Sequence, residues 1–397
     1  MNPRPSIAEQ LRSCIHCGLC LDACPTYRLL GDEAESPRGR LQLMQVLLEP
    51  EASPNLSLAE MDRTALDRCL GCRHCEAVCP SGVPYGELLE SSRAALPALG
   101  GRQAWAELLV RHVLTRPLRF ALLAKLAYLL RSFARFLPAE LGDLVPDRAP
   151  AWPRRAGARG EAGPQVEGTP EVYILAGCAQ QVLQPEVARA VERLLQACGF
   201  RPRILGGVDC CGALDAHLGA SEAAAKRTEA IAARARRGAT ILVPSAGCSS
   251  HLRHIDGVVD GVVWLHRNAD RLSFLPDLRR VLYHPPCHHT HAQGIGREAL
   301  ELLRRVPGLE VVQADEPERC CGSAGSYQLL QPELATRIRA EKMERIRAQE
   351  PDLLLSANPG CEIFLRRGFQ QTGQELPTEN LLVYLASRLG GLEAAAS

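Results

Sequence analysis

Two stretches carry the cysteine spacing of a metal-cluster protein: CIHCGLCLDACP at 14–25 and CLGCRHCEAVCP at 69–80. Both read C-x2-C-x2-C-x3-C-P. Tetrahedral zinc usually takes two cysteines from one short turn and two ligands from a distant segment. Here a third cysteine follows at the same spacing and a fourth comes four positions later. That set suits a cube with iron at alternate corners, one thiolate per iron. The C-x2-C-x2-C loop wraps three corners, and the fourth cysteine reaches the other cluster. The spacing therefore predicts two [4Fe-4S] clusters. Cys14, Cys17, Cys20 and Cys79 are expected to hold the first, and Cys24, Cys69, Cys72 and Cys75 the second. Pro25 and Pro80 fix the chain direction after the last ligand and bring no amide hydrogen.

A second pattern repeats farther along. Cys178, Cys210-Cys211-Gly212 and Cys248 are matched by Cys287, Cys320-Cys321-Gly322 and Cys361, displaced by about 110 residues. Cys178, Cys248, Cys287 and Cys361 each follow an expected strand, at the carboxyl rim where parallel sheets bind ligands. Gly212 and Gly322 permit a left-handed turn on the same rim. His284, His288, His289 and His291 surround Cys287. Eight thiols in a duplicated pattern point to an iron–sulfur cluster, zinc or a redox-active dithiol; spacing alone leaves these open. Cys198, inside an expected helix, reads as a small core residue.

These residues need elements to position them. Residues 1–95 are expected to form a mostly helical two-cluster unit, with a helix over SPRGRLQLMQVLLE begun by Pro37. Its Arg38 and Arg40 face either the clusters and a partner or solvent. Residues 96–145 are a basic helical segment: no acidic residue lies between Glu107 and Glu140, while Arg111, Arg116, Arg119, Lys125, Arg131 and Arg135 punctuate the leucines. Pro117 should split it. Such a segment packs on the protein's own core, on a partner, or on an anionic membrane surface. Residues 146–170, rich in Pro, Gly, Ala and Arg, read as a linker. Residues 171–275 and 276–397 alternate strands (VYILAG, ILVPSAG, RVLYHPP, DLLLSANPG) with helices, which predicts two α/β modules with parallel sheet. The fold class expected is α+β overall, a helical ferredoxin-like unit followed by two duplicated α/β modules.

Seventeen cysteines without a hydrophobic leader in MNPRPSIAEQ indicate metal in a reducing compartment, hence a cytoplasmic protein. No uncharged apolar run reaches eighteen residues, so no transmembrane helix is expected. A net charge of +1 gives no reason to invoke nucleic acid.

Paired ferredoxin motifs followed by two Cys-Cys-Gly (CCG) modules resemble the iron–sulfur subunits of bacterial glycolate oxidases. More widely they resemble the cysteine-rich CCG family, including lactate-utilisation proteins, the anaerobic glycerol-3-phosphate dehydrogenase small subunit and the CCG-bearing subunits of heterodisulfide reductases. CPTYRLLGDEAESPRGR, HPPCHHTHAQG and CCGSAGSYQLLQPELATRIRAEKM carry the likeness. The resemblance implies an electron-transfer subunit of an oxidoreductase complex. Two flavoprotein subunits would oxidise glycolate to glyoxylate and a quinone-type acceptor would receive the electrons. It also implies peripheral association with the inner face of the cytoplasmic membrane as an option. The same role in a lactate or glycerol-3-phosphate dehydrogenase, or disulfide reduction by the CCG modules, are the alternatives. No Rossmann fingerprint, P-loop or flavin site occurs, so no substrate-oxidising site of its own is expected. The fuller CCG pattern carries a fifth cysteine where this chain has His251 and Phe364, which puts the family's five-cysteine noncubane cluster in doubt.

Overall fold

Proline at a first helical position and serine before it start the helix Pro37–Leu48, where Ser36 accepts from the amide of Gly39 at 2.9 Å. This helix buries Leu41, Met44 and Leu47 against Leu88 and Leu89 of the helix Tyr85–Ala95, which gives the N-terminal unit its core. The computed structural model describes residues 5–49, 63–96, 101–132, 145–154 and 171–390. Arg135 and residues 155–170 of the expected linker lie outside the described residues.

The basic segment forms Gly101–Leu109, a wide turn over Val110–Leu114, and Pro117–Leu129, so the break falls at the proline. The second of these helices is apolar on both sides rather than amphipathic. Ala121 and Ala124 pack on Val182, while Leu118, Leu122, Leu126 and Leu129 stand exposed. Among the described residues no helix is long and apolar enough to cross a membrane.

The rest consists of two four-stranded parallel sheets of identical topology. Strands β1 (Glu171–Ile174), β2 (Arg201–Ile204), β3 (Thr240–Val243) and β4 (Val258–Asp260) are ordered β2-β1-β3-β4. Strands β5 (Arg280–His284), β6 (Glu310–Val312), β7 (Leu353–Ser356) and β8 (Thr378–Asn380) are ordered β6-β5-β7-β8. The central strands are near-continuous apolar runs buried on both faces, as parallel sheets covered by helices require. Helix Pro185–Ala197 turns Val187, Val191, Leu194 and Leu195 inward at helical spacing. Each such side chain contributes about 1.5–3 kcal/mol by leaving water. One core runs through both modules: Ile174, Leu242 and Trp264 of the first join Val281, Tyr283 and Leu355 of the second. The fold class read from the sequence is the one observed. The carboxyl ends of β1, β3, β5 and β7 lead into the cysteine-bearing turns and helices.

Candidate metal centres

The two ferredoxin motifs fold alike at each step. His16 and Gly18 in the first loop, and Gly71 and Arg73 in the second, all take positive φ (56°, 82°, 64° and 60°). Two left-handed residues between three cysteines curl the loop around a common centre. The third cysteine opens or sits in a short helix, Cys20–Ala23 or His74–Ala77. Cys14, Cys17, Cys20 and Cys79 line one cavity; Cys24, Cys69 and Cys72 line another; Cys75 borders both. In each case the fourth cysteine of one motif has crossed to the loop of the other.

Burial raises the thiols of Cys72 and Cys75 well above their ordinary range, with Cys287 adding to the effect at Cys72 and Cys72 at Cys75. Thiolates here therefore need a positive partner, and Arg40 is placed to be one. It is 1% exposed. Its guanidinium donates to Ala65 O at 2.6 Å, Thr26 Oγ1 at 2.9 Å, Glu35 at 2.6 Å and Cys24 Sγ at 3.6 Å. Burial works against its charge, but Cys69, Tyr85, Cys24 and Glu35 around it raise its pKa. Of the two readings of this first turn, Arg40 takes the cluster side. Arg38 bonds Glu33 at 2.6 Å nearer the surface, beside the first cavity.

All eight CCG cysteines line a single cavity of about 1020 Å³, with Leu109, Phe120, Leu123 and Ala127 of the helical segment on another wall. In the first module sulfurs touch in series: Cys178 and Cys211 each hydrogen-bond Cys210, and Cys211 also meets Cys248. Donation from Cys178 and Cys211 lowers the Cys210 thiol strongly, and Cys178 is raised in turn. In the second module the same series runs Cys287, Cys320, Cys321, Cys361. Gly212 and Gly322 have φ of 96° and 89°, because a helix backbone passes immediately behind each of them. Cys198 is a core residue packed with Leu194 and Leu195.

The four histidines near Cys287 separate. His288 lines the large cavity, and burial lowers it to about 3. His289 Nε2 meets Asp260 Oδ2 at 2.9 Å, and Ser249 Oγ donates to the same oxygen at 2.6 Å, closing a buried joint between modules. His291 stacks on His74 at 4.1 Å and reaches Glu318 O at 2.9 Å. His284 is buried at the end of β5. His251 bonds Thr228 Oγ1 at 3.1 Å, and burial lowers it to about 4.

Sequence reasoning passed over three contributors. His217 lines the cavity opposite His288, their rings 5.7 Å apart. Asn358 donates to Cys361 Sγ at 3.5 Å and accepts from Gly247 N at 3.2 Å. Lys342 sits buried behind Cys320 and Cys321. Asn358 stands just before Pro359 in a helix-start position, the one local signal that could have drawn notice. Cys72, Cys287 and Cys320 share a buried cluster with Leu70 and Tyr327, so the second ferredoxin loop abuts the second CCG module.

The cysteine-rich CCG domain family matches residues 172–253 and 281–366, and the 4Fe-4S dicluster domain family matches residues 10–83. The chain is similar to the glycolate oxidase iron–sulfur subunit of Escherichia coli K12, with 33% identity over 89% of each chain. It is similar to the probable glycolate oxidase iron–sulfur subunit of Bacillus subtilis 168, with 30% identity over 97% of this chain and 94% of the relative. It is also 25% identical, over 96% of this chain and 94% of the relative, to one subunit of the dihydromethanophenazine:CoB–CoM heterodisulfide reductase of Methanosarcina acetivorans.

Proposed function

The chain belongs to the family of glycolate oxidase iron–sulfur subunits, and from that premise we propose that it carries electrons within a glycolate-oxidising complex. Flavoprotein subunits oxidise glycolate to glyoxylate, this chain takes their electrons, and a quinone-type acceptor receives them. Cys14, Cys17, Cys20 and Cys79 hold one [4Fe-4S] cluster, and Cys24, Cys69, Cys72 and Cys75 hold the other. Such clusters supply one-electron storage with no bond made or broken. The protein's part is to exclude water, fix spacing and set charge. Arg40 offsets the negative charge of the second site from within the core, and His16, Gly18, Gly71 and Arg73 fix the loop curl.

One observation carries the reading. The two motif cavities share Cys75, and the second continues through Cys72 to Cys287 and Cys320 at the large cavity. This is an unbroken line of sulfur positions through the protein, the arrangement an electron wire needs. The apolar wall that Phe120 and Leu123 give that cavity suits a lipophilic acceptor. The exposed leucines of Pro117–Leu129, with Arg116, Arg119, Lys125 and Arg131 among them, suit peripheral attachment to an anionic membrane. High salt should release a complex held by charge; retention would indicate apolar insertion or a partner anchor.

The test is glycolate-driven reduction of the full chain, purified anaerobically and mixed with its flavoprotein partners. About eight irons with matching sulfide are expected, bleaching on glycolate addition. Bleaching by lactate or glycerol 3-phosphate alone would move the chain to another dehydrogenase. Disulfide-dependent turnover by the isolated chain would make it a reductase.

A further inference from the structure

The end of β5 gathers a donor set that cysteine spacing does not reveal. His284, the last residue of that strand, is 1% exposed, and neither ring nitrogen has a hydrogen-bond partner among the described residues. A ring nitrogen of His284 and the sulfurs of Cys321 and Cys361 all lie within 4.8 Å of one another. Ser356, its register partner on β7, is fully buried, and its hydroxyl is likewise unpartnered among the described residues. Burying imidazole and hydroxyl with no replacement for their bonds to water is unfavourable, and native structures rarely leave it so. A metal ion facing the two sulfurs removes the penalty at the imidazole, and the hydroxyl of Ser356 is placed to orient the ring from behind.

The geometry points to a zinc site in the second CCG module, held by His284, Cys321 and Cys361 with Cys320 supplying the fourth donor. One imidazole and three thiolates form an ordinary closed tetrahedral zinc set. Hard cations such as magnesium or calcium want oxygen and are excluded by these donors. Zinc–sulfur bonds of about 2.3 Å and zinc–nitrogen bonds of about 2.0 Å bring donors to about 3.5–3.8 Å of each other. The observed group must therefore contract by about 1 Å. Cys320 is in contact with Cys321 and needs no movement of the chain to join.

Charge is balanced from the protein side. Three thiols lose their protons to solvent as zinc binds, which leaves a site of net −1. Lys342 is 2% exposed, directs its ammonium to Pro317 O at 2.8 Å and Glu316 O at 3.4 Å, and sits within electrostatic reach of Cys320 and Cys321. Its charge offsets that of the site. The first module cannot build the same centre: the residue three before its leading cysteine is Leu175, in the core. Cys287 stays outside the set, turned toward Cys72.

The test is zinc, iron and sulfide per chain on anaerobically purified full-length protein, with X-ray absorption at the zinc edge. About one zinc with three sulfurs and one nitrogen in its first shell is expected. In His284→Leu, zinc should fall at least tenfold, while iron and the visible cluster absorption remain. His284→Cys should restore zinc. Leucine already fills the matching place in the first module, so the substitution is compatible with this fold. The zinc-edge spectrum of the unaltered chain tests the site independently of any variant. Absence of zinc, a four-sulfur shell, or unchanged zinc in His284→Leu would overturn the inference. So would loss of iron and sulfide in step with His284, which would place a cluster there. Failure of the two-cluster reading is seen separately, as wild-type iron well below eight.

Discussion

Leu175 precedes the leading cysteine of the first CCG module by three residues, and His284 holds that place in the second. The residue after the last cysteine is Ser249 in one and Glu362 in the other. Three positions beyond that cysteine stand His251 and Phe364. By contrast, strand order, the glycine after the cysteine pair and the cap on the helix after the last strand are kept. Asp260 accepts from Val262 N and Asn380 from Leu382 N, each the side chain that starts that helix. The features kept are those the backbone requires: a left-handed turn, a satisfied helix end, a register. The features changed lie behind the thiols and set what each sulfur group can bind. Location gives a reason for the divergence. Only the second module touches the second ferredoxin loop, through Cys287, Cys320 and Cys72. The modules are therefore duplicates in topology and unequal in chemistry.

The largest effect should come from cutting the contact that only the second module has. Cys72→Ser should lower iron from about eight to about four per chain and abolish glycolate-driven reduction beyond the first cluster. Cys178→Ser, in the module without that contact, should leave iron near eight. Equal iron loss in both variants, by colorimetric assay, would break the distinction. Next come the turn glycines. A β-carbon at Gly322 would lie 2.5 Å from Ala335 O, whereas one at Gly212 would lie 3.0 Å from Ala224 O. Both substitutions carry the left-handed penalty, but only the first also forces two backbones apart. Gly322→Ala should cost about 3 kcal/mol or more and Gly212→Ala about 1–2 kcal/mol, read from urea midpoints. The reverse order would mean that the second module is the more yielding one.

Glu362 offers a pH-resolved test of the same asymmetry. Burial raises its carboxyl to about 7 despite Arg366 at 3.1 Å. A carboxyl whose folded pKa exceeds its unfolded value near 4.5 makes the folded state bind the extra proton between those limits. Stability therefore falls as pH rises from about 4.5, and the full cost is present above about 7. Glu362→Gln should stabilise the protein by about 2 kcal/mol at pH 8 and by almost nothing near pH 4.5. Thermal melts at the two pH values check it, and a gain that does not depend on pH would assign the effect to packing instead.

Much of this architecture is legible in residue order, and the parts that are not have physical reasons. The four central strands show as apolar runs because both of their faces are buried. The outer strands β2, β4, β6 and β8 do not, since RPRI, VVD, EVV and TEN are three or four residues long and partly polar. They are strands because a neighbour offers a ladder, which is a tertiary cause. The crossing of Cys24 and Cys79 between loops is legible from spacing, because a cube has four corners and each loop reaches three. Arg40 is not: a basic residue in a first turn looks solvated until Glu35 and Thr26 close around it. His284 is invisible for another reason. Four histidines crowd one decapeptide, and only the end of β5 separates the one facing Cys321 and Cys361 from the rest.

The smallest expected effect concerns His251, which occupies the place of the missing fifth cysteine in the first module. It bonds Thr228 Oγ1 and is held neutral by burial, its pKa lowered to about 4. A nitrogen already engaged with a hydroxyl on a neighbouring helix is a structural group, whereas His284 has no such bond. His251→Phe, which copies Phe364 of the second module, should therefore cost only about 1 kcal/mol, the worth of one neutral hydrogen bond. Iron and zinc contents should both stay at their wild-type values. If metal were lost from this variant, His251 would be a ligand and the first module would have its own nitrogen-bearing site. The two modules would then differ in where they place the imidazole, rather than in whether they use one.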